Sequence, residues 1–237
     1  MTHSTRALVL LSGGQDSTTC LAWALSQFTH VETVGFDYGQ RNHVELTARM
    51  EVILGLRQFS PEWNTRLGDD HLLDLSLIWT LSDTALTSNM AISLMDNGLP
   101  NTFVPGRNLF FFLTAATLGY RRGISTLIGG MSQADGPGYP DCRLTTINAL
   151  EQCINLGMDF PFQLKTPLIQ KDKASIWQFA HDIGGDRLLE LIRESSHTCY
   201  LGERTKRHDW GYGCAQCPAC MLRSTGHATF LERKLST

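Results

Sequence analysis

The sequence predicts an α/β protein built on a Rossmann-like, doubly wound parallel sheet, with a zinc-binding helical part at its C-terminal end. Three observations carry this reading. Short apolar runs closed by glycine alternate with stretches of helical spacing, a Gly-Gly turn joins the first such run to the first helix, and four of the seven cysteines crowd between Cys199 and Cys220. Ala7 to Leu11 reads as a buried strand ended by Ser12-Gly13-Gly14, after which Thr18, Leu21, Ala22 and Leu25 set a helical period. Val31 to Phe36 reads as a second strand ended by Asp37-Tyr38-Gly39, and a helix over 45–56 carries Leu46, Met50, Ile53 and Leu54. Two successive strand-helix units imply a parallel sheet covered by helices. Residues 68–100 mix apolar and polar side chains without a period and are expected to form an irregular insertion or lid. A helix over 107–120 and a strand over 124–128 closed by Gly129-Gly130 continue the alternation. A Gly/Pro/Asp loop over 133–143 and a helix over 145–156 follow, then a connection at 165–168 and a helix over 174–183. After Gly184-Gly185 a short helix leads to the cysteines. The organisation expected is an α/β domain over 1–195 with a cysteine-bearing region over 196–237 packed on it.

Composition narrows the class. With 237 residues, 42% hydrophobic and 18% charged, the chain can bury one large core or two small ones. Twenty basic against 23 acidic side chains leave a net charge of −3, which disfavours a stable nucleic-acid partner. No apolar run approaches the roughly 20 residues that span a bilayer, and the first residues lack the apolar core of a signal peptide. A cytoplasmic chain without a membrane partner is expected. Trp79 and Phe230 are the apolar side chains expected to serve a homodimer interface.

The loop of Leu11, Ser12, Gly13, Gly14, Gln15, Asp16, Ser17 and Thr18 lies between strand and helix. Glycines there allow close approach to a phosphate, the amides of the helix start point at it, and the helix dipole favours its charge. Asp16 in such a nest implies a counter-ion, Mg²⁺ bridging carboxylate and phosphate oxygens. The plainer alternative is a capped helix after a glycine turn. The chain has no Gly-Lys dipeptide, which excludes a Walker A loop.

Cys199 precedes Cys214-x-x-Cys217-x-x-Cys220 by fourteen residues. Four thiolates at this spacing can close a tetrahedral Zn²⁺ site with no open position, hence a structural one. An iron–sulfur cluster or a redox cysteine pair competes with it. His197 and His208 read as surface residues beside four sulfurs, and Cys20 and Cys153 as core residues.

Ser-Gly-Gly-x-Asp-Ser after the first strand resembles the PP-loop of the ATP pyrophosphatases, which split ATP between its α and β phosphates. Further strings stand where open α/β sheets bind ligands: Phe36 to Arg41, Pro100 to Asn108, and Gly138 to Arg143. With the terminal cysteines, the ordered set from Leu8 to about Arg223 is similar to the 7-cyano-7-deazaguanine synthase family. The resemblance implies an adenine nucleotide alpha hydrolase-like fold, with residues 1–195 binding ATP. It implies an ATP-dependent carbon–nitrogen ligase that turns 7-carboxy-7-deazaguanine and ammonia into the nitrile by two adenylations. ATP, Mg²⁺ and Zn²⁺ come with it. By the same resemblance Asp16, Lys173, Arg107 and Arg143 are catalytic, with Lys173 neutralising the departing diphosphate and the guanidiniums gripping carboxylate or phosphate. Asp37, Tyr38, Gln40, Asp135 and Asp141 are the implied substrate contacts, their carboxylates accepting from a guanine-like edge. The strings depart from the family's at Asn42, Gly136-Pro137 and Leu144.

Two other outcomes fit the motifs. A paralogue would stop at the amide or pass the activated deazaguanine to another amine. A non-enzymatic zinc-ribbon module would use a basic face around Arg204, Lys206, Arg207 and Arg223.

Overall fold

The computed structural model describes residues 5–39, 44–77, 84–86, 90–91, 93–96, 98–135 and 137–236. Five of its strands are β1 (Arg6–Leu10), β2 (His30–Asp37), β3 (Leu67–Asp74), β4 (Thr126–Ile128) and β5 (Gln163–Lys165). They form one sheet in the order β3-β2-β1-β4-β5, and every neighbouring pair is parallel. The helices are α1 (Gln15–Gln27), α2 (Val44–Arg57), α3 (Pro61–Arg66), α4 (Arg107–Arg122), α5 (Leu144–Met158), α6 (Lys173–Ser195) and α7 (Pro218–Leu235). A two-stranded antiparallel hairpin, β6 (Arg207–His208) with β7 (Gly211–Tyr212), precedes α7.

The apolar run of β1 is buried on both faces because helices cover both. Ala7 and Val9 enter a core shared with α1, α2, α3 and α6, while Leu8 and Leu10 enter a second core with α4 and α5. The first core runs on without a break into the C-terminal region, taking in Cys199, Trp210, Cys217, Cys220 and Phe230. Trp177 of α6 is fully buried there, and α6 bends at Gly185, whose φ of 61° no β-carbon-bearing residue adopts readily. Among the described residues no helix is long and apolar enough to cross a membrane.

Several expectations change. The first part of the supposed irregular stretch, residues 68–74, belongs to the edge strand β3 (Leu67–Asp74); among the described residues it pairs only with β2, its side chains after Leu67 are half-buried or exposed, and it carries Asp69, Asp70, His71 and Asp74. The connection expected at 165–168 begins inside β5, which has three residues and an exposed Gln163. Phe230 is 1% exposed and packs in the first core, so it offers no surface for a second copy. Trp79 and Asn42 lie outside the described residues. Cys153 is exposed rather than core, whereas Cys20 is buried.

At the amino ends of the strands Glu32 lies fully buried among cations. Its Oε1 accepts from Arg6 Nη2 (3.0 Å) and Arg122 Nη2 (3.0 Å) and lies 3.1 Å from His30 Nε2, while Oε2 is 2.9 Å from His71 Nε2. Arg122 also reaches Asp69, so the carboxylates and His71 form an ion-pair cluster already filled by guanidinium. Burial alone would raise the Glu32 carboxyl; hydrogen bonds from Arg122, His71 and His30 hold it at about 2 instead of 4.5. A depressed carboxyl contributes stability that is complete above its unfolded value and is lost as pH falls through its folded one. The advantage of wild type over Glu32→Gln is therefore expected to shrink by up to about 3 kcal/mol between about pH 6 and about pH 2. Denaturant unfolding of both proteins across that range measures it.

Candidate active site

β1 has β2 on one side and β4 on the other, so the connections leaving β1 and β4 diverge, and a crevice opens at the carboxyl ends of the strands. A cavity of about 290 Å³ occupies this position. Its walls come from the loop after β1, the ends of β2 and β4, the start of α4, the start of α6 and the segment that follows α6.

The loop after β1 is held open by hydroxyls. Ser12 Oγ and Ser17 Oγ are 3.0 Å apart, Gly14 N donates to Ser12 Oγ (3.2 Å), and Ser17 Oγ is 3.2 Å from Gly14 O. Gly13 takes a φ of 89°, and a β-carbon there would stand 2.7 Å from Arg49 N and Glu45 O, so α2 closes on the loop only because residue 13 is glycine. Gly14 caps α1 without a side-chain acceptor, which leaves the first-turn amides of a thirteen-residue helix facing the cavity.

Lys173 opens α6, with Asp172 as the N-cap that accepts from Ser175 N (2.6 Å). Its ammonium donates to Asp16 Oδ2 (2.6 Å) and to Ser132 Oγ (3.1 Å). Burial opposes the charge on Lys173, but the Asp16 carboxylate and the field of Asp135 raise its pKa and keep it protonated. Burial likewise pushes the Asp16 carboxyl up, against the pull of Lys173. Asp135 accepts from Ser132 N (2.8 Å) and Ser132 Oγ (2.9 Å), which fixes the turn that presents Ser132 to the lysine.

The opposite wall is aromatic. Phe36 and Phe111 stack with ring centroids 4.4 Å apart, and the Arg107 guanidinium lies 5.9 Å from the Tyr38 ring centroid and 6.0 Å from that of Phe111. Burial opposes the charge on Arg107, yet Tyr38 and Asp141 hold its pKa up, and its Nε is buried without a hydrogen-bond partner. The Tyr139 hydroxyl lies 2.7 Å from Thr102 Oγ1 and 3.4 Å from Tyr200 OH, tying three loops together at the rim.

The structure thus brings Leu11, Ser12, Gly14, Gln15, Asp16, Ser17, Tyr38, Arg107, Asp135 and Lys173 to one cavity. Gly13 and Thr18 are buried behind the loop. Arg143 is not with them: it is the exposed N-cap of α5 and lines no part of the cavity. Asp141 is also outside the lining, its Oδ2 accepting from Asn108 N and Nδ2 (both 3.0 Å), so it holds the start of α4. Asp37 accepts from Gly39 N (3.1 Å) at a turn, and Gln40 lies outside the described residues.

Two wall residues are ones that sequence reasoning placed elsewhere. His197, expected at the surface, is 0% exposed; its backbone N–H donates to Gly13 O (2.9 Å), and both ring nitrogens are buried without a partner. Arg223, expected on a basic face, is 1% exposed and reaches the cavity from α7. Arg204 pairs with Glu51, and Arg207 with Glu190 and Glu194, so two more of the four cations expected on a basic face are held by carboxylates. The available signal was position: His197 stands two residues before Cys199 and Arg223 three after Cys220.

Beside the cavity the four cysteines converge, with every Sγ within 4.8 Å of the others. Cys214 Sγ and Cys220 Sγ are 3.9 Å apart, and Cys217 Sγ and Cys199 Sγ 4.0 Å. Thiolates about 2.3 Å from one tetrahedral ion stand about 3.8 Å from each other, so this donor set fits a single ion. Gln216 N and Cys217 N donate to Cys214 Sγ (3.4 and 3.3 Å), the amide-to-sulfur contacts that steady a thiolate.

A sequence model of the family described as "Queuosine biosynthesis protein QueC" matches residues 6–231, from β1 into α7. The chain belongs to the QueC family. It is 58% identical over 234 residues, 99% of this chain and 100% of the relative, to a protein of Janthinobacterium sp. (strain Marseille) named 7-cyano-7-deazaguanine synthase. A synthase of the same name from Herminiimonas arsenicoxydans is 58% identical over 98% of this chain and 99% of its own. One from Rhodopseudomonas palustris (strain BisB18) is 59% identical over 98% and 96%. Among solved structures, a 4-thiouridine synthetase–RNA complex with bound ATP is similar in fold, with a TM-score of 0.54 at 16% identity. The match covers 97% of this chain and about half, 51%, of the synthetase. This QueC-family chain is an enzyme, and its match to the family takes in both the loop after β1 and the four cysteines. Elemental analysis of purified protein is expected to give one metal per chain, and Cys217→Ser to abolish it together with most of the thermal stability.

Proposed function

We propose that this chain makes 7-cyano-7-deazaguanine from 7-carboxy-7-deazaguanine, ammonia and ATP by two adenylations, each releasing diphosphate, with AMP expelled first by ammonia to give the amide and then from the adenylated amide to give the nitrile. The observation that carries the reading is the pairing, in one crevice, of an open helix start at Gly14 to Ser17 with the half-buried Lys173 ammonium, opposite a wall bearing Arg107. Family membership and the relatives' shared name supply the substrate class.

Making a nitrile from a carboxylate requires the loss of two oxygens, and adenylation turns each into a leaving group. In this reading the first-turn amides of α1 and the Ser12 and Ser17 hydroxyls hold the β and γ phosphates, leaving the α phosphorus open to the substrate oxygen. Lys173 opposes the charge that collects on the departing diphosphate. Arg107, with its unpartnered Nε, takes the substrate carboxylate, and Tyr38 and Phe111 flank the base. No side chain need form a covalent bond, and catalysis rests on position and charge. Asp16 gives Oδ2 to Lys173, which leaves Oδ1 to hold Mg²⁺; that ion would offset phosphate charge. Zn²⁺ suits the four thiolates, where it would hold the C-terminal region in its folded form. The partners of such an enzyme are small molecules, and the reaction is cytoplasmic.

Mass spectrometry of a reaction with 7-carboxy-7-deazaguanine, Mg-ATP and an ammonium salt is expected to show the nitrile with two AMP per product. Lys173→Met is expected to lower kcat/KM by about 100-fold or more. Absence of AMP would overturn the activity, and AMP release that halts at the amide would overturn the second adenylation.

A further inference from the structure

Arg223 presents an electrostatic imbalance. The side chain is 1% exposed, and all three of its hydrogen-bond partners are neutral: Nε donates to Trp210 O (2.8 Å), Nη1 to Thr198 Oγ1 (3.0 Å) and Nη2 to Ile192 O (3.0 Å). No carboxylate pairs with it among the described residues, and Asp16, the acid whose field it feels most, is engaged by Lys173 at 2.6 Å. A guanidinium has five N–H donors, of which three are spent. A buried guanidinium whose hydrogen bonds all go to neutral groups is costly even with the Cys220 sulfur in its field, and two of its N–H donors are left for a ligand that completes the pairing. Arg223 lines the same cavity as Ser12, Ser17, Asp16 and Lys173.

Its position is closely defined. Arg223 stands one turn after Cys220 on α7, whose N-cap is Cys217. A β-carbon at Gly211 would stand 2.7 Å from Arg223 Nη2, so the hairpin backbone bears directly on the guanidinium. One turn further along α7, Gly226 lies so close to the start of α6 that a β-carbon would stand 2.4 Å from Lys173 Cβ. The helix therefore supports Lys173 and delivers Arg223 to the same cavity.

We propose that Arg223 is a phosphate-binding residue of the ATP site, contributed by the cysteine-bearing region. The inference rests on the reading of the cavity as an ATP site and adds to it a ligand contact from outside the PP-loop. It gives the cysteine cluster a role in substrate binding, since the thiolates anchor the helix that places this charge.

The test is calorimetric titration of metal-loaded protein with inorganic pyrophosphate, α,β-methylene ATP and adenosine, for wild type, Arg223→Gln and Arg223→Lys, with metal content measured for each. Arg223→Gln is expected to weaken pyrophosphate and the ATP analogue by about 10- to 100-fold, the range for a charge-assisted hydrogen bond, while adenosine stays within about twofold. Arg223→Lys, which keeps the charge, is expected to recover part of the loss. Unchanged pyrophosphate binding in Arg223→Gln with metal intact would overturn the proposal and leave the ATP site standing. Equal loss of adenosine and pyrophosphate would show a fold defect and overturn it as well. Wild-type protein that binds none of the three probes would remove the ATP reading, and the proposal with it.

Discussion

Lys173 and Asp16 meet at 2.6 Å across more than half the chain, and most of the site's architecture serves that contact. For the ammonium to arrive, α6 must start at the carboxyl end of the sheet, which Asp172 secures by capping it. For the carboxylate to be there, α1 must leave β1 through a turn tight enough to seat α2 against Gly13. Ser132 takes a second ammonium hydrogen and is held in turn by Asp135, so the strand end after β4 joins the same network. Because the pair is largely withdrawn from water, its geometry is enforced from several directions at once.

The fold was legible where burial is two-sided. β1 and β2 carry continuous apolar runs because both of their faces are covered, and the helices over 15–27, 44–57 and 107–122 show a helical period because one face of each packs on the sheet, although Met50, Leu54 and Leu113 lie exposed. β3 was hidden for the opposite reason: one edge is free, the strand carries Asp69, Asp70, His71 and Asp74, and its pattern resembles a loop. The three residues of β5 are too few for any period to show.

The site was legible to the extent that it lies on local motifs. The Ser-Gly-Gly-x-Asp-Ser loop and the cysteine spacing announce themselves in consecutive residues. His197 and Arg223 do not, since what makes them wall residues is the docking of the C-terminal segment on the loop after β1, through the His197 N to Gly13 O bond and the packing of α7 on α6. Arg143 and Asp141 illustrate the converse. The resemblance implied ligand contacts for both, and in this structure one is an exposed helix cap outside the cavity lining while the other's Oδ2 accepts from Asn108.

The acidic character of β3 has a bearing on the protein's behaviour in a crowded solution. An all-parallel sheet of five strands must end somewhere, and each end offers unpaired amides and carbonyls to a neighbouring molecule. Here one border is a strand rich in aspartate and the other is cut to three residues. A strand added to β3 would meet its charged side chains, two of them held by Arg49 and Arg122, and on the other side finds a template of only three residues. The charge that concealed β3 from sequence reading is thus of the kind that discourages edge-to-edge pairing of sheets.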